Sequence, residues 1–205
     1  MLLPLALAGV RLPVAWRVLI LIGLTQGVGF IGVALLYGQI RKWPLGALGL
    51  RWPRRAQLGW IAGGYALALA SAAIGGAIVV ALGFDPAENE LGVLAASEPH
   101  LVWLLIVLSI AIIGPGEELL FRGAIQGRLR EALDPTWAII ASSLIFSAAH
   151  VLALGGGASG RATTIAVLLL PSLVFGFVYE RTRSVVVPAL VHGLYNATLF
   201  VLVAL

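Results

Sequence analysis

The chain has no cysteine among its 205 residues. That excludes a disulfide framework, a thiolate nucleophile and any metal site built on cysteine. Charge is scarce too: Asp, Glu, Lys and Arg make up 11% of the sequence, where a soluble domain carries roughly 25%. Hydrophobic residues fill 60% of it, the mean hydropathy is +1.04, and apolar runs of about 20 residues recur. Only helices and closed barrels satisfy every backbone polar group in lipid, and runs of this length specify helices. The expected fold is therefore all-α, a polytopic transmembrane helical bundle with the lipid bilayer as its solvent. The net charge of +4 does not imply a nucleic-acid partner, because the basic residues sit in short loops between apolar runs. No cleavable signal peptide is expected: Met1–Val10 is short, Pro-interrupted and has no basic residue ahead of it.

Six spans are expected, at about 14–37, 58–84, 100–122 (its helix continuing to 133), 136–154, 162–179 and 185–205. Gly23, Gly27, Gly29 and Gly32 suggest close helix packing of the first span. Gly155-Gly156-Gly157 with Ser159-Gly160 reads as the most flexible loop. Asp134-Pro135 is a turn and helix-start signal. Arg41, Lys42, Arg51, Arg54, Arg55, Arg122, Arg128, Arg130, Arg181 and Arg183 follow the odd spans, whereas Arg11 and Arg161 lie opposite, with Arg17 just inside span one. That bias puts the odd loops in the cytoplasm and both termini outside. The loop after span two holds Asp85, Glu88, Glu90 and Glu98 with no basic residue. Trp16, Trp43, Trp52, Trp60, Trp103 and Trp137 flank the spans as an interfacial belt would. Residues 1–205 read as one transmembrane domain, with a catalytic core at about 99–205.

The chemistry centres on Gly114-Pro115-Gly116-Glu117-Glu118, followed by Arg122. Ionisable groups inside a membrane are costly and mark function unless they are paired away. Glu118 and Arg122 are i,i+4 and suit an ion pair, with Arg122 as partner and snorkelling residue. If spans three and four form a hairpin turning at Leu133–Asp134, Glu117 and His150 both sit roughly 24 Å from its tip, at one depth. Phe146 stacks one turn from His150. His192 and Asn196 are i,i+4 on span six and share a face. Pro115 between two glycines should kink the helix and open a path to the carboxylates. Glu117 with His150 can polarise a water, while His192 and Asn196 can donate to an oxyanion. The set Glu117, His150 and His192 could equally hold Zn²⁺ or another divalent metal with an open fourth position. Spacing does not choose between a metal and none.

The pattern Glu-Glu-x-x-x-Arg at Glu117, Glu118 and Arg122, Phe-x-x-x-His at Phe146 and His150, and His-x-x-x-Asn at His192 and Asn196 resembles the CPBP (CAAX-protease and bacteriocin-processing, or Abi) family with its Rce1-type members. The loop Pro44–Arg51 also resembles the family's segment ahead of that core. The resemblance implies a glutamate-dependent intramembrane endopeptidase in the cell membrane, with its site open to the cytoplasmic leaflet. Glu117 and His150 would activate water, His192 and Asn196 would hold the oxyanion, Glu118 would stand with them in the catalytic set, and Arg122 and Phe146 would support it. Its partner would be a peptide or membrane-protein substrate, lipid-modified or membrane-associated. Two other classes stay open on the residues alone: a non-catalytic immunity or scaffold protein, and a small proton-coupled transporter relaying through Glu117, His150 and His192.

Overall fold

A computed structural model describes residues 12–205; Met1–Val10 and Arg11 lie outside the described residues. Among those residues the chain forms seven helices and no strand. They are α1 (Val14–Ile40), α2 (Arg55–Ala81), α3 (Glu90–Ser97), α4 (Pro99–Leu129), α5 (Pro135–Ala153), α6 (Ala158–Thr182) and α7 (Val186–Ala204). Six are long and apolar enough to cross a membrane. The protein is a multi-pass, all-α membrane bundle.

Local chemistry sets the helix ends. Asn89 Oδ1 accepts from the Leu91 and Gly92 amides to start α3, and Asp134 Oδ1 accepts from Thr136 and Trp137 to start α5 behind Pro135. The α4–α5 turn begins at Arg130, earlier than the expected Leu133, because the Arg130 side chain donates to the Leu133 carbonyl and closes it. The glycine-rich loop is shorter than expected, for Ser159 and Gly160 belong to α6. A Cβ at Gly160 would lie 3.1 Å from the Asp85 carbonyl, and Ala87 donates to the Gly160 carbonyl at 3.0 Å. The α2–α3 connection thus packs directly on the start of α6.

Helix α7 sits at the centre. Val187, Val191 and Tyr195 pack with α2 and α6 residues, including Ala68, Val174 and Phe175. On its other side Phe200 joins Val18 and Ile22 of α1 with Leu105 and Leu108 of α4. A third cluster joins Ala34, Leu119 and Tyr179 to Leu48 of the Pro44–Arg51 loop. Contact between α4 and α7 is backbone-close: a Cβ on Gly193 would stand 2.8 Å from Ile110 Cα. The glycines of α1 behave otherwise. Gly23 and Gly27 have nothing within 4 Å of a built Cβ, and the helix widens over Gly23–Ile31. They are a site of helix deformation rather than a packing face, since a turn without Cβ atoms widens with little steric cost. Trp16, Trp52, Trp103 and Trp137 are exposed at the span ends.

Candidate active site

Pro115 does not open α4. The helix runs through it continuously, and wide turns at Ser109–Ile113 and Leu119–Gln126 on either side take up the missing amide. Nor do the flanking glycines admit a substrate. A Cβ at Gly114 would lie 2.6 Å from the Ala189 carbonyl of α7, and one at Gly116 would lie 3.0 Å from the Gln26 carbonyl of α1. They are gaps already filled by neighbouring helices, which lets α1 and α7 close on the two carboxylates.

Glu118 and Arg122 are both fully buried, with Arg122 Nε donating to Glu118 Oε2 at 3.0 Å. The rest of the guanidinium is satisfied inside the bundle. Nη1 reaches Ser142 at 3.2 Å and Nη2 reaches Ser172 at 2.8 Å, while the Phe146 ring lies 5.2 Å beneath it. Arg122 therefore does not snorkel, because α5 and α6 supply its donors' partners where it stands. His192 Nδ1 donates to Glu118 Oε1 at 2.9 Å. Phe175 of α6 stacks on the imidazole, with centroids 4.6 Å apart and planes 18° from parallel. Glu118, held by Arg122, thereby fixes which nitrogen of His192 carries the proton and which way the ring faces.

That ring turns its Nε2 toward Glu117, 3.7 Å from Oε2. His150, at the last turn of α5, gives its Nδ1 proton to the Phe146 carbonyl at 2.9 Å and directs Nε2 to within 3.8 Å of the same Glu117 oxygen. The other carboxylate oxygen, Oε1, accepts from Gln26 Nε2 of α1 at 2.8 Å. Oε2 is buried with no hydrogen-bond partner. A water about 2.8 Å from both Oε2 and an imidazole nitrogen fits gaps of this width. Glu117, His150 and His192 meet around one point, and Phe146 packs on both rings at 4.5 and 5.7 Å. Asn196 lines the same cavity one turn along α7.

Two contributors carry weak sequence signals. Gln26 is one amide in a glycine-rich span, 91 residues from its partner. Phe175 is an aromatic among apolar neighbours. Among the described residues no group of three or more His, Asp or Glu side chains stands placed to hold an ion, and the 3.7 and 3.8 Å separations of the two imidazole nitrogens from Glu117 Oε2 admit a bridging water.

A cavity of about 880 Å³ leads away from this cluster. Its lining on α1 runs only from Leu21 to Phe30, on α4 from Ile113 to Phe121, on α6 from Thr164 to Phe175 and on α7 from His192 to Val203. Helix α5, from Phe146 to Ala153, and Glu88–Val93 with Ala96 complete it. Phe30, Phe121 and Phe146 lie one turn past Gln26, Glu117 and His150 toward the arginine-rich loops, and the other wall residues lie level with the cluster or toward the end bearing the acidic α2–α3 connection. The opposite side is a closed floor, where Gln126, fully buried, donates to the Gly176 carbonyl at 3.2 Å and accepts from Ser142.

Residues 99–198 match the family described as type II CAAX prenyl endopeptidase Rce1-like. The matched segment contains Glu117, His150, His192 and Asn196 but neither Gln26 nor the wall formed by Glu88–Ala96. Comparisons with curated proteins and with solved structures find no match.

Proposed function

The chain belongs, through residues 99–198, to the Rce1-like family of CAAX-type intramembrane proteases, and on that premise we propose that Glu117 and His150 activate water for peptide-bond hydrolysis within the bilayer. The observation that carries this reading is the buried, unpartnered Oε2 of Glu117 facing two oriented imidazoles. A bare carboxylate oxygen at that depth is costly unless something polar occupies the space before it.

Water held between Oε2 of Glu117 and Nε2 of His150 gives up a proton to this pair as its oxygen attacks the scissile carbonyl carbon. The carbonyl π electrons move to oxygen, and that oxyanion accepts hydrogen bonds from the Asn196 amide and from His192 when its ring holds both protons. Collapse breaks the C–N bond, and the proton taken from water passes to the leaving amine. Glu118 and Arg122 work at one remove by holding His192, and Phe146 wedges the two rings apart. The protein is proposed to reside in the cell membrane with its arginine-rich loops in the cytoplasm. Its substrate is a membrane-associated peptide segment.

Glu117→Gln keeps the shape and removes the base, so turnover of a verified substrate should fall by about 10²–10⁴-fold, and His150→Ala should act alike. Unchanged cleavage in either variant sinks the assignment. Metal analysis of purified protein alongside activity in chelator tests the other branch: stoichiometric zinc lost together with activity would replace direct water activation.

A further inference from the structure

We infer that Arg51, Arg54 and Arg183 form a binding site for a phosphate group, at the surface of the bundle where α2 starts and α6 turns into α7. The phosphate belongs to an anionic lipid headgroup or to the free ion, two sources with one recognition chemistry. The site stands apart from the catalytic cluster. Its lining shares no residue with the central cavity, and it does not depend on the proteolytic reading.

A pocket of about 230 Å³ lies there, lined by Arg51, Trp52, Arg54, Gln57, Thr182 and Arg183. That is smaller than the roughly 300 Å³ at which drug-sized sites begin, so it takes a single charged group rather than a length of chain. Three of the six residues are arginines and none is acidic. Among the described residues neither Arg51 nor Arg54 has a carboxylate partner. Arg51 spends one nitrogen on the Gly46 carbonyl, at 2.6 Å. Arg183 pairs with Glu180, but that carboxylate also serves Arg130 at 3.2 Å. The pocket therefore carries an excess of positive charge that a phosphate group relieves, and the planar guanidinium fork matches phosphate oxygens in pairs.

The walls are fixed before a ligand arrives. The Gly49 carbonyl accepts from the Val185 amide at 2.9 Å, the Arg51 carbonyl from the Ser184 hydroxyl at 2.7 Å, and the Thr182 carbonyl from Gln57 Nε2 at 2.7 Å. These bonds stitch the loop ahead of α2 to the α6–α7 turn. The last of them also takes up a carbonyl that would otherwise repel an anion at the end of α6. Gln57 braces the loop from within, its Oε1 accepting from the Arg54 amide at 2.8 Å. Arg183 stands in the left-handed region (φ 52°, ψ 27°), where glycine is the usual residue. The fold thus sets an arginine at a strained turn beside the pocket. Arg55, Thr182 and Val186 are the end residues of three spans, and Trp52, 85% exposed, flanks the pocket as an interfacial tryptophan does. The three arginines are exposed, so they meet lipid headgroups and water alike.

Binding is read on the full chain in neutral detergent, without turnover. Bound short-chain phosphatidylglycerol is counted by native mass spectrometry, and labelled inorganic phosphate by equilibrium dialysis. At least one probe should bind at one equivalent, and Arg51→Gln with Arg54→Gln should weaken it at least about tenfold, the loss of two charge-assisted contacts. Lys42→Gln with Arg128→Gln removes the same charge from the same side of the bundle, outside the pocket, and should change affinity less than about twofold. Arg54→Glu alone, on an exposed side chain, makes the comparison again should the first pair fold poorly. Loss with the lipid alone assigns a headgroup phosphate, loss with the ion alone assigns free phosphate, and loss with both admits either source. Absence of binding by the parent, equal weakening by the two pairs, or parent-like binding of both probes by the pocket variants overturns the site.

Discussion

At the scale of single residues, Glu117 is the group whose surroundings are most sharply divided. One oxygen is held by Gln26 and the other is bare before two imidazoles. Removing the holder should loosen the carboxylate without disturbing substrate contacts remote from it. Gln26→Leu is expected to lower kcat by about 10–100-fold, the worth of one hydrogen bond to a charged group, with KM near the parent value and about 1–3 kcal/mol of stability lost, because the second buried oxygen of Glu117 then lacks a partner. Parent-like kcat in that variant would remove Gln26 from the positioning set. Arg122 acts on stability instead. Arg122→Met strands the fully buried Glu118 and should cost about 3–5 kcal/mol, whereas Arg122→Met with Glu118→Met should recover most of the loss while staying inactive. Denaturation of the two variants in detergent checks the order. The carboxylates, imidazoles and arginine were legible because each is a costly group within an apolar run, and the even spacing of Glu117 and His150 about the α4–α5 turn set them level. Gln26 and Ser172 were not legible, because a lone amide or hydroxyl in a helix names no partner until the bundle closes.

At the scale of elements, α4 and α7 approach backbone to backbone at Gly114 and Gly193, and that closeness brings His192 against both glutamates. Lipid supplies no hydrophobic drive between helices, so such close approach is what holds the pair together. Gly193→Ala places a methyl 2.8 Å from Ile110 Cα and is expected to destabilise the fold by about 1–3 kcal/mol and to reduce turnover as the ring shifts. Gly76→Ala, with nothing within 4 Å, is the matched control and should leave both near the parent value. A Gly193→Ala protein as stable and active as that control would mean the approach is not required. The span count follows from hydropathy alone, because backbone satisfaction in lipid leaves few options. The glycines of α1 show the limit of reading spacing. Gly23 and Gly27 fit a packing motif yet face open space, for a motif states where close approach is allowed and not where a neighbour stands.

At the scale of the whole molecule, the matched segment 99–198 is not a self-sufficient unit. Helix α1 supplies Gln26 and, with Phe30, one wall of the cavity. Helix α2 backs α6 and α7 through Ala68 against Phe175 and Val191, and Phe175 in turn steadies His192. Glu88–Val93 and Ala96 line the cavity as well. A fragment of residues 99–205 therefore keeps every motif residue but loses the amide on Glu117 and the support behind His192, and it exposes to lipid faces of α4, α6 and α7 that are buried in the full chain. Expressed alone, it should retain less than about a hundredth of the full chain's activity, the loss expected when a general base is no longer positioned. Co-expression with residues 1–98 as a separate chain should restore a substantial part, since helices inserted independently can still associate by the same contacts. Full activity from the isolated fragment would show that the first three helices only shield the site, and Gln26 would then have no part in holding the carboxylate.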